Sequence, residues 1–578
     1  MLGSAWLIAL FAFEAPSSSP RTARGLGSFT ALISLLFAGL ALLECALGQR
    51  RRARFLLAGA GTLLTGYGLV NTWALSLTSI SLGHLLEHLF SAPSPSRHLS
   101  EAGVEPSTVA LGTLALAATF FLGGLANARL PRLLIGPRAL RVVAAIWIGS
   151  LAVFVAEQAS RPPGYIERGL SLPLYVQLFD SRVAPVEVVA RPSAPPTTLG
   201  APKNPNHVLL IVLESFRADL LKRPDLVPNL RALAARGIEC TEGYTQATDT
   251  HLSWQALFLQ RPAFQRIGAP TGAGAPVLQL FKQAGYQIVI VSSTTLEWYD
   301  FDQRLQGAGG VVDRLTDFKV AAGARHLADA QATDALLGVI AQLGSTPTLM
   351  ILQLDATHFG YDFAREAAVV EPHLSETGFT PLPYTADEID LLAARYFNAA
   401  NQVDRQLGRV LDAVEARGLT ERTAVVVVSD HGEDFAPGRV GHAAVTQATK
   451  RIPLLLALPG EPARREARTV STPDVWPTLC EHLGIEVVGT LCGESILSPT
   501  VRAEGVLTYS ALSQRAHYTR PSEVIEFYAE RVGADRLRLH PIGVVDRSGA
   551  PIPDWQSHLE TNSAWRRELR DRFPGGVY

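Results

Sequence analysis

The run Val208–Leu213, inside HVLLIVLESFRAD at His207–Asp219, constrains the fold more than any other stretch of the chain. Consecutive apolar residues that stop abruptly at Glu214 predict a strand buried on both faces of a parallel sheet, and such a strand needs helices above and below it. A carboxylate at the C-terminal end of that strand lies where open α/β sheets place their ligands. A lone strand-end Glu is ordinarily solvated or ion-paired. A second strand of the same kind changes the weighing: Thr423–Ser429 runs directly into Asp430-His431-Gly432-Glu433. Two buried strands that deliver Glu, Asp and His to one sheet edge make a metal site credible.

The pattern between and around these strands alternates. Helices are expected at Asp225–Arg236, with Pro228 in the first turn, at Pro276–Ala284, closed by Gly285, and at His326–Leu343. A long one is expected at Thr385–Arg417, where Thr385 and Glu388 fit a capping box and Gly418 ends it. Strands are expected at Gln287–Ser292, Thr348–Leu354 and Pro453–Leu458. The whole reads as an α/β domain over 206–500, a mostly parallel sheet flanked by helices. The tail, 501–578, differs: Glu523–Arg531 and Arg536–Val545 read as an antiparallel hairpin turning at Gly533-Ala534-Asp535, followed by a polar helix near Ser557–Asp571. There is no dinucleotide-type glycine motif and no phosphate-binding loop of the GxxxxGK type.

Composition matters mainly before residue 160. Leu26–Gly48, Phe55–Thr78, Thr108–Ala128 and Ala139–Ala156 are each long enough to cross a bilayer, which takes about 20 apolar residues. Leu2–Phe13 is a shorter apolar stretch that makes the count four or five. Arg50-Arg51-Arg52-Ala53-Arg54 and the group Arg129, Arg132, Arg138 and Arg141 separate the pairs, so both clusters are expected in the cytoplasm and everything after Ala156 outside it. Residues 1–160 are thus read as a transmembrane helical bundle. Residues 161–205, rich in Pro, Ser and Thr, are read as a juxtamembrane linker in which Ile166–Phe179 lies on the membrane. His84-Leu85-Leu86-Glu87-His88 matches a metal-protease pattern, but a loop this short between two spans has no core to complete a site. An amphipathic surface helix over Gly83–Phe90 is the better reading. The net charge of −2 over 578 residues gives no reason to expect nucleic acid as a partner. Cys480 and Cys492 leave a disulfide open, and no CxxC zinc pattern is present.

Between the first helix and the next strand lies Ala247-Thr248-Asp249-Thr250-His251-Leu252-Ser253-Trp254. Alone, such a loop is a turn or a helix cap. In the order strand–Glu, hydroxyl loop, strand–Asp-His-Gly-Glu, it resembles the alkaline phosphatase and sulfatase superfamily, and within it the membrane-anchored phosphoethanolamine transferases and lipoteichoic acid synthases. Val227-Pro228-Asn229-Leu230-Arg231-Ala232-Leu233, the Pro453–Gly460 strand and Ser471-Thr472-Pro473-Asp474 followed by Val475-Trp476-Pro477-Thr478-Leu479 resemble further sulfatase segments.

The resemblance implies a nucleophile at Thr250, with Thr248 as the alternative. Sulfatases begin a C/S-x-P-S-R motif there with a residue converted to formylglycine, whereas this chain has no Cys, Pro or Arg in that register. It implies metal ligands Glu214, Asp430 and His431, with the Thr250 oxygen as the fourth; mixed carboxylate and imidazole ligation of a divalent cation suits zinc, and manganese less strongly. Independently of the resemblance, a Thr hydroxyl is a weak nucleophile that needs such a cation to stabilise its alkoxide. The resemblance also implies that His358, in Asp355-Ala356-Thr357-His358, and His442 hold the phosphate or protonate a leaving oxygen; each could equally be an ordinary loop histidine. Glu433 could orient a neighbour. Arg217 and Asp219 read equally as a salt bridge or a phosphate contact, and Trp254 as a core residue.

The activity implied is transfer of a phospholipid head group, phosphoethanolamine or phosphoglycerol, to an envelope glycan or lipid through a phospho-Thr intermediate. It would take place on the outer side of a bacterial cytoplasmic (inner) membrane. The alternative is a sulfatase-like hydrolase of sulfuric or phosphoric esters outside the cytoplasm.

Overall fold

Successive side chains of a strand point to opposite faces, and the run at 207–213 uses both. In the computed structural model of the chain, Val208, Leu210 and Val212 join one hydrophobic core and Leu209, Ile211 and Leu213 join another. Each such buried side chain contributes roughly 1.5–3 kcal/mol of gross burial. The residues described are 183–190, 195–270, 272–318, 324–375, 385–436, 439–499 and 505–573. The expected spans, the surface segment 166–179 and the His84–His88 motif lie outside them. Among the described residues no helix is long and apolar enough to cross a membrane.

In chain order the strands are β1 Val186–Val189, β2 Thr197–Thr198, β3 His207–Leu213, β4 Ile238–Tyr244, β5 Gln287–Ser292, β6 Arg314–Asp317, β7 Thr348–Leu354 and β8 Thr423–Ser429. They continue as β9 Asp434–Ala436, β10 Arg439–Gly441, β11 Leu454–Ala457, β12 Arg464–Ser471, β13 Val487–Val488, β14 Val506–Ser510, β15 Arg515–Thr519, β16 Glu523–Gly533 and β17 Arg536–Asp546. The helices are α1 Pro228–Arg236, α2 Thr250–Phe258, α3 Pro276–Gln283, α4 Phe301–Gln306, α5 Arg325–Ala341, α6 Ala386–Ala416, α7 Gln447–Lys450, α8 Val475–Leu483, α9 Trp555–Thr561 and α10 Ala564–Arg572.

The large sheet is eight-stranded, in the order β12-β4-β11-β8-β3-β7-β5-β6. Every neighbouring pair is parallel except those made by β11, which runs antiparallel to β4 and β8. The sheet is therefore mixed, and the reason is local. The chain leaves β8 at Ser429 and reaches Leu454 through the short β9 and β10 and the four-residue α7, with no long crossover helix on the way. Helices α2, α3 and α8 cover one face, and α1, α5 and α6 the other. The capping box of α6 forms as expected, with Glu388 N donating to Thr385 Oγ1 and Thr385 N to the Glu388 carboxylate.

The tail forms a second, five-stranded antiparallel sheet, β1-β17-β16-β15-β14. The hairpin lies where the sequence places it. Residues 186–189 depart from the linker reading: Val186 and Val188 are buried, and the strand pairs with β17. The single helix expected near Ser557–Asp571 is two, because Leu559, Trp565 and Leu569 turn into the core of this sheet. That core also takes Ala247, Leu252 and Ala256 from the segment carrying Thr250. Cys480 and Cys492 are not bridged; Cys492 Sγ donates to the Gln260 carbonyl at 3.0 Å.

Between the two sheets sits a buried amine. Lys450 Nζ donates to Thr519 Oγ1 at 2.9 Å and lies 3.5 Å from His517 Nδ1 and 5.9 Å from the centre of the Tyr244 ring. Burial pushes its pKa down to about 7, against a partial pull upward from Glu526. The folded state therefore holds fewer protons than the unfolded chain between pH about 7 and the ordinary lysine value near ~10, and stability rises with pH across that window. Lys450→Met is expected to flatten the stability profile there by up to about 1.4 kcal/mol per pH unit, checked by denaturant titrations of both proteins at several pH values.

Candidate active site

Register brings the site together. Leu213 pairs with Ser429 on one side of β3 and with Leu354 on the other. The next residue of each strand, Glu214, Asp430 and Asp355, then emerges at one edge. Glu214 N donates to Leu354 O at 3.0 Å and Asp430 N to Leu213 O at 3.2 Å, so the ladder holds for one more step. Ser215 then takes a positive φ of 53°, turning the chain sharply. Tyr396 of α6 fixes that turn: its hydroxyl donates to Ser215 O at 2.8 Å and accepts from Arg217 N at 3.0 Å.

Glu214, Asp430 and His431 are buried, and one ligand-type atom from each lies within 4.8 Å of the others. Asp430 Oδ1 accepts from Ser215 N at 2.9 Å and from His431 N at 2.7 Å. Asp430 Oδ2 is buried with no hydrogen-bond partner, 3.6 Å from His431 Nε2. His431 Nδ1 lies 3.0 Å from the Gly432 carbonyl, so that nitrogen carries the proton and Nε2 presents a lone pair. Burial, with Asp430 beside it, holds Glu214 well above the usual carboxylate range; burial also pushes His431 down. Two dry carboxylates and a neutral imidazole facing one point form a costly arrangement unless a cation joins them. The donor set therefore fits a divalent cation.

Thr250 is the first residue of α2, behind the N-cap Asp249, at the positive end of the helix. Its Oγ1 lies 3.2 Å from Glu214 Oε1 and 3.1 Å from His431 Nε2. Thr248 is fully buried, and its Oγ1 has no hydrogen-bond partner. Between the two hydroxyls, Thr250 is the one that meets the cluster.

The His442 ring packs on that of His431, with centroids 4.2 Å apart, and its Nδ1 lies 3.6 Å from Glu433 Oε2, an ion-pair distance. Burial works against protonating His442, but the Glu433 carboxylate outweighs it and leaves the pKa raised. His358 shifts the other way: burial first, then the charges of Arg325 and His442, push it well below the usual value. The loop carrying it is tied to the cluster, since Thr357 Oγ1 donates to Glu214 O at 2.5 Å.

The remaining candidates resolve as structure. Arg217 holds Asp219 through two bonds, at 2.7 and 2.8 Å. Trp254 is buried among Phe258, Trp298 and Phe301. Gly432 is required by packing, because a Cβ there would stand 2.1 Å from Ala448 O. Sequence reasoning missed Arg325, whose guanidinium pairs with Asp355. A cation in the first turn of a helix opposes the helix dipole, and that oddity could have drawn attention to it.

The fold is similar to that of structural neighbours in the alkaline phosphatase and sulfatase superfamily. The family model described as Sulfatase matches residues 206–485, so the chain carries a sulfatase-family domain. It is similar to arylsulfatase K of Xenopus laevis, 31% identical over 130 residues, which are 22% of this chain and 24% of that protein. A second likeness is to arylsulfatase K of Bos taurus, 32% identical over 116 residues, 20% and 22% of the two chains. The chain thus matches less than a quarter of the length of these curated relatives. Among solved structures, a phosphonate monoester hydrolase from Silicibacter pomeroyi shares the fold with a TM-score of 0.52 at 18% identity, covering 64% of this chain and 96% of that one.

Proposed function

We propose that this protein cleaves esters of phosphoric or sulfuric acid with Thr250 as the nucleophile. The observation that carries the reading is the Thr250 hydroxyl lying 3.1–3.2 Å from both His431 Nε2 and Glu214 Oε1. A divalent cation held by Glu214, Asp430 and His431, zinc or manganese, would supply the positive charge that stabilises the Thr250 oxygen and the oxygens of the ester. Thr250 Oγ1 gives up its proton to solvent and attacks the central phosphorus or sulfur, and the bond from that atom to the ester oxygen breaks. His442, whose pKa Glu433 raises, gives the departing oxygen its proton when protonated. His358 is kept neutral and accepts a hydrogen bond or a proton from the second nucleophile. Attack by that nucleophile breaks the bond from the Thr-bound group to Thr250 Oγ1 and releases the product, and Thr250 Oγ1 takes back a proton from solvent.

The second nucleophile distinguishes two versions. Water makes the protein a hydrolase, as the likeness to arylsulfatase K and the phosphonate monoester hydrolase supports. An envelope glycan or lipid hydroxyl makes it a transferase. The long apolar runs before residue 160 favour that version, with a phospholipid as donor and the reaction placed outside a bacterial inner membrane.

The test uses the full chain purified in detergent and loaded with zinc or manganese. It is offered bis(p-nitrophenyl) phosphate, p-nitrophenyl sulfate and phosphatidylethanolamine or phosphatidylglycerol. Nitrophenol release in water alone is the expected result and supports hydrolysis. Diacylglycerol release that requires an added acceptor selects transfer. A metal-loaded protein that turns over none of these esters overturns the proposal.

A further inference from the structure

An ester of phosphoric or sulfuric acid brings anionic oxygens, and the ligand cluster contributes only carboxylates and an imidazole. Several cations near the site are committed elsewhere. Arg217 is tied to Asp219. Arg395 is held by Asp362 and the carbonyls of Gly360 and Leu374. Lys450 is turned into the second sheet.

Arg325, the first residue of α5, is placed differently. Its Nη1 donates to Asp355 Oδ2, and Asp355 is the residue that follows β7 beside Glu214. The platform beneath it is rigid. Asp329 accepts from Asp355 N at 2.8 Å and from Ala356 N at 3.1 Å. His358 N donates to Asp355 O at 3.0 Å, and Thr357 ties the same loop to Glu214. Arg325 N is anchored on Asp362 Oδ2 at 3.1 Å. Asp355 is buried, yet the Arg325 side chain keeps 26% of its surface exposed. The Asp355 contact uses one donor of a fork that has five. The guanidinium is close enough to the site to feel the Glu214 carboxylate and to depress His358.

We infer that Arg325, positioned by Asp355, binds the anionic oxygens of the substrate ester on the side of the site that carries His358. This inference rests on the ester-cleaving reading above and identifies the residue that recognises the tetrahedral oxyanion. A planar fork binds two oxygens of such a group at once, which an ammonium cannot do.

The test compares wild type with Arg325→Gln and Arg325→Lys, each loaded with metal and checked for metal content and melting temperature. Inorganic phosphate is the probe, titrated by calorimetry, alongside KM and kcat for bis(p-nitrophenyl) phosphate. Arg325→Gln is expected to weaken phosphate binding and raise KM by about tenfold or more, with a smaller change in kcat. Arg325→Lys is expected to fall between the two, and added guanidinium to restore part of the loss in Arg325→Gln. Phosphate affinity and KM within about twofold of wild type in a folded, metal-loaded Arg325→Gln overturn the inference. If Arg325→Gln does not fold, Arg325→Lys decides by the same criterion. The phosphate titration gives its answer even if wild type turns over no ester, so failure of the proposed function and failure of this inference are told apart.

Discussion

Thr250→Ala is expected to lower kcat/KM for ester cleavage by about three orders of magnitude or more, with fold and metal content unchanged. The side chain follows the N-cap of α2 and does not serve as the cap itself, so the helix start does not depend on it. What the hydroxyl does is stand against His431 Nε2 and Glu214 Oε1. Removing it leaves the ligand cluster intact and deletes the attacking oxygen. Thr250→Ser restores a hydroxyl on the same backbone and should recover much of the rate. Thr248→Ala should turn over near wild type, because that hydroxyl makes no hydrogen bond to the cluster. Initial rates with metal analysis on the same samples check all three; a Thr250→Ala protein that is folded, metal-loaded and still active removes Thr250 as the nucleophile.

The carboxylates of the cluster were legible in the sequence because Glu214 and Asp430 stand at the ends of apolar strands. At Glu214 and Asp430 hydrophobicity stops within one residue, and strand register then fixes where those residues meet. The parallel strands β3, β5, β7 and β8 were legible for the same reason. What escaped is polar on one side or both. Strand β12, RREARTVS, lies at the sheet edge and exposes its charges, which erases the apolar pattern. Strand β1 is short and sits among prolines, and only its partner β17, far away in the chain, makes it a strand. Helix α10 looks polar because its burial rests on Trp565 and Leu569. The direction of β11 depends on what its connection from β8 contains and not on its own residues. Arg325 was hidden by its position at a helix boundary, since its meaning comes from Asp355 on another element. The choice between Thr248 and Thr250 could not be made from spacing. The helix start at Thr250 aims one hydroxyl at the cluster and leaves the other in the core.

Asp430→Asn is expected to weaken divalent metal binding by about a hundredfold, to abolish turnover at limiting metal, and to stabilise the metal-free protein. The two carboxylate oxygens have separate tasks. Oδ1 holds Ser215 N and His431 N, and the amide oxygen of Asn can keep both bonds. Oδ2 is buried, lacks a partner and faces His431 Nε2. In the metal-free state that oxygen has no hydrogen-bond partner, and Asp430 adds to the burial that drives the Glu214 pKa up. Replacing it removes a buried, unsatisfied carboxylate oxygen, worth about 1–3 kcal/mol. With metal present the same change removes an anionic ligand and puts an amide in its place. The melting temperature of the variant should therefore lie above wild type in chelator and below it in saturating zinc. A purely structural Asp430 would move both melting temperatures in one direction, and a metal titration unchanged by the substitution would remove Asp430 from the ligand set.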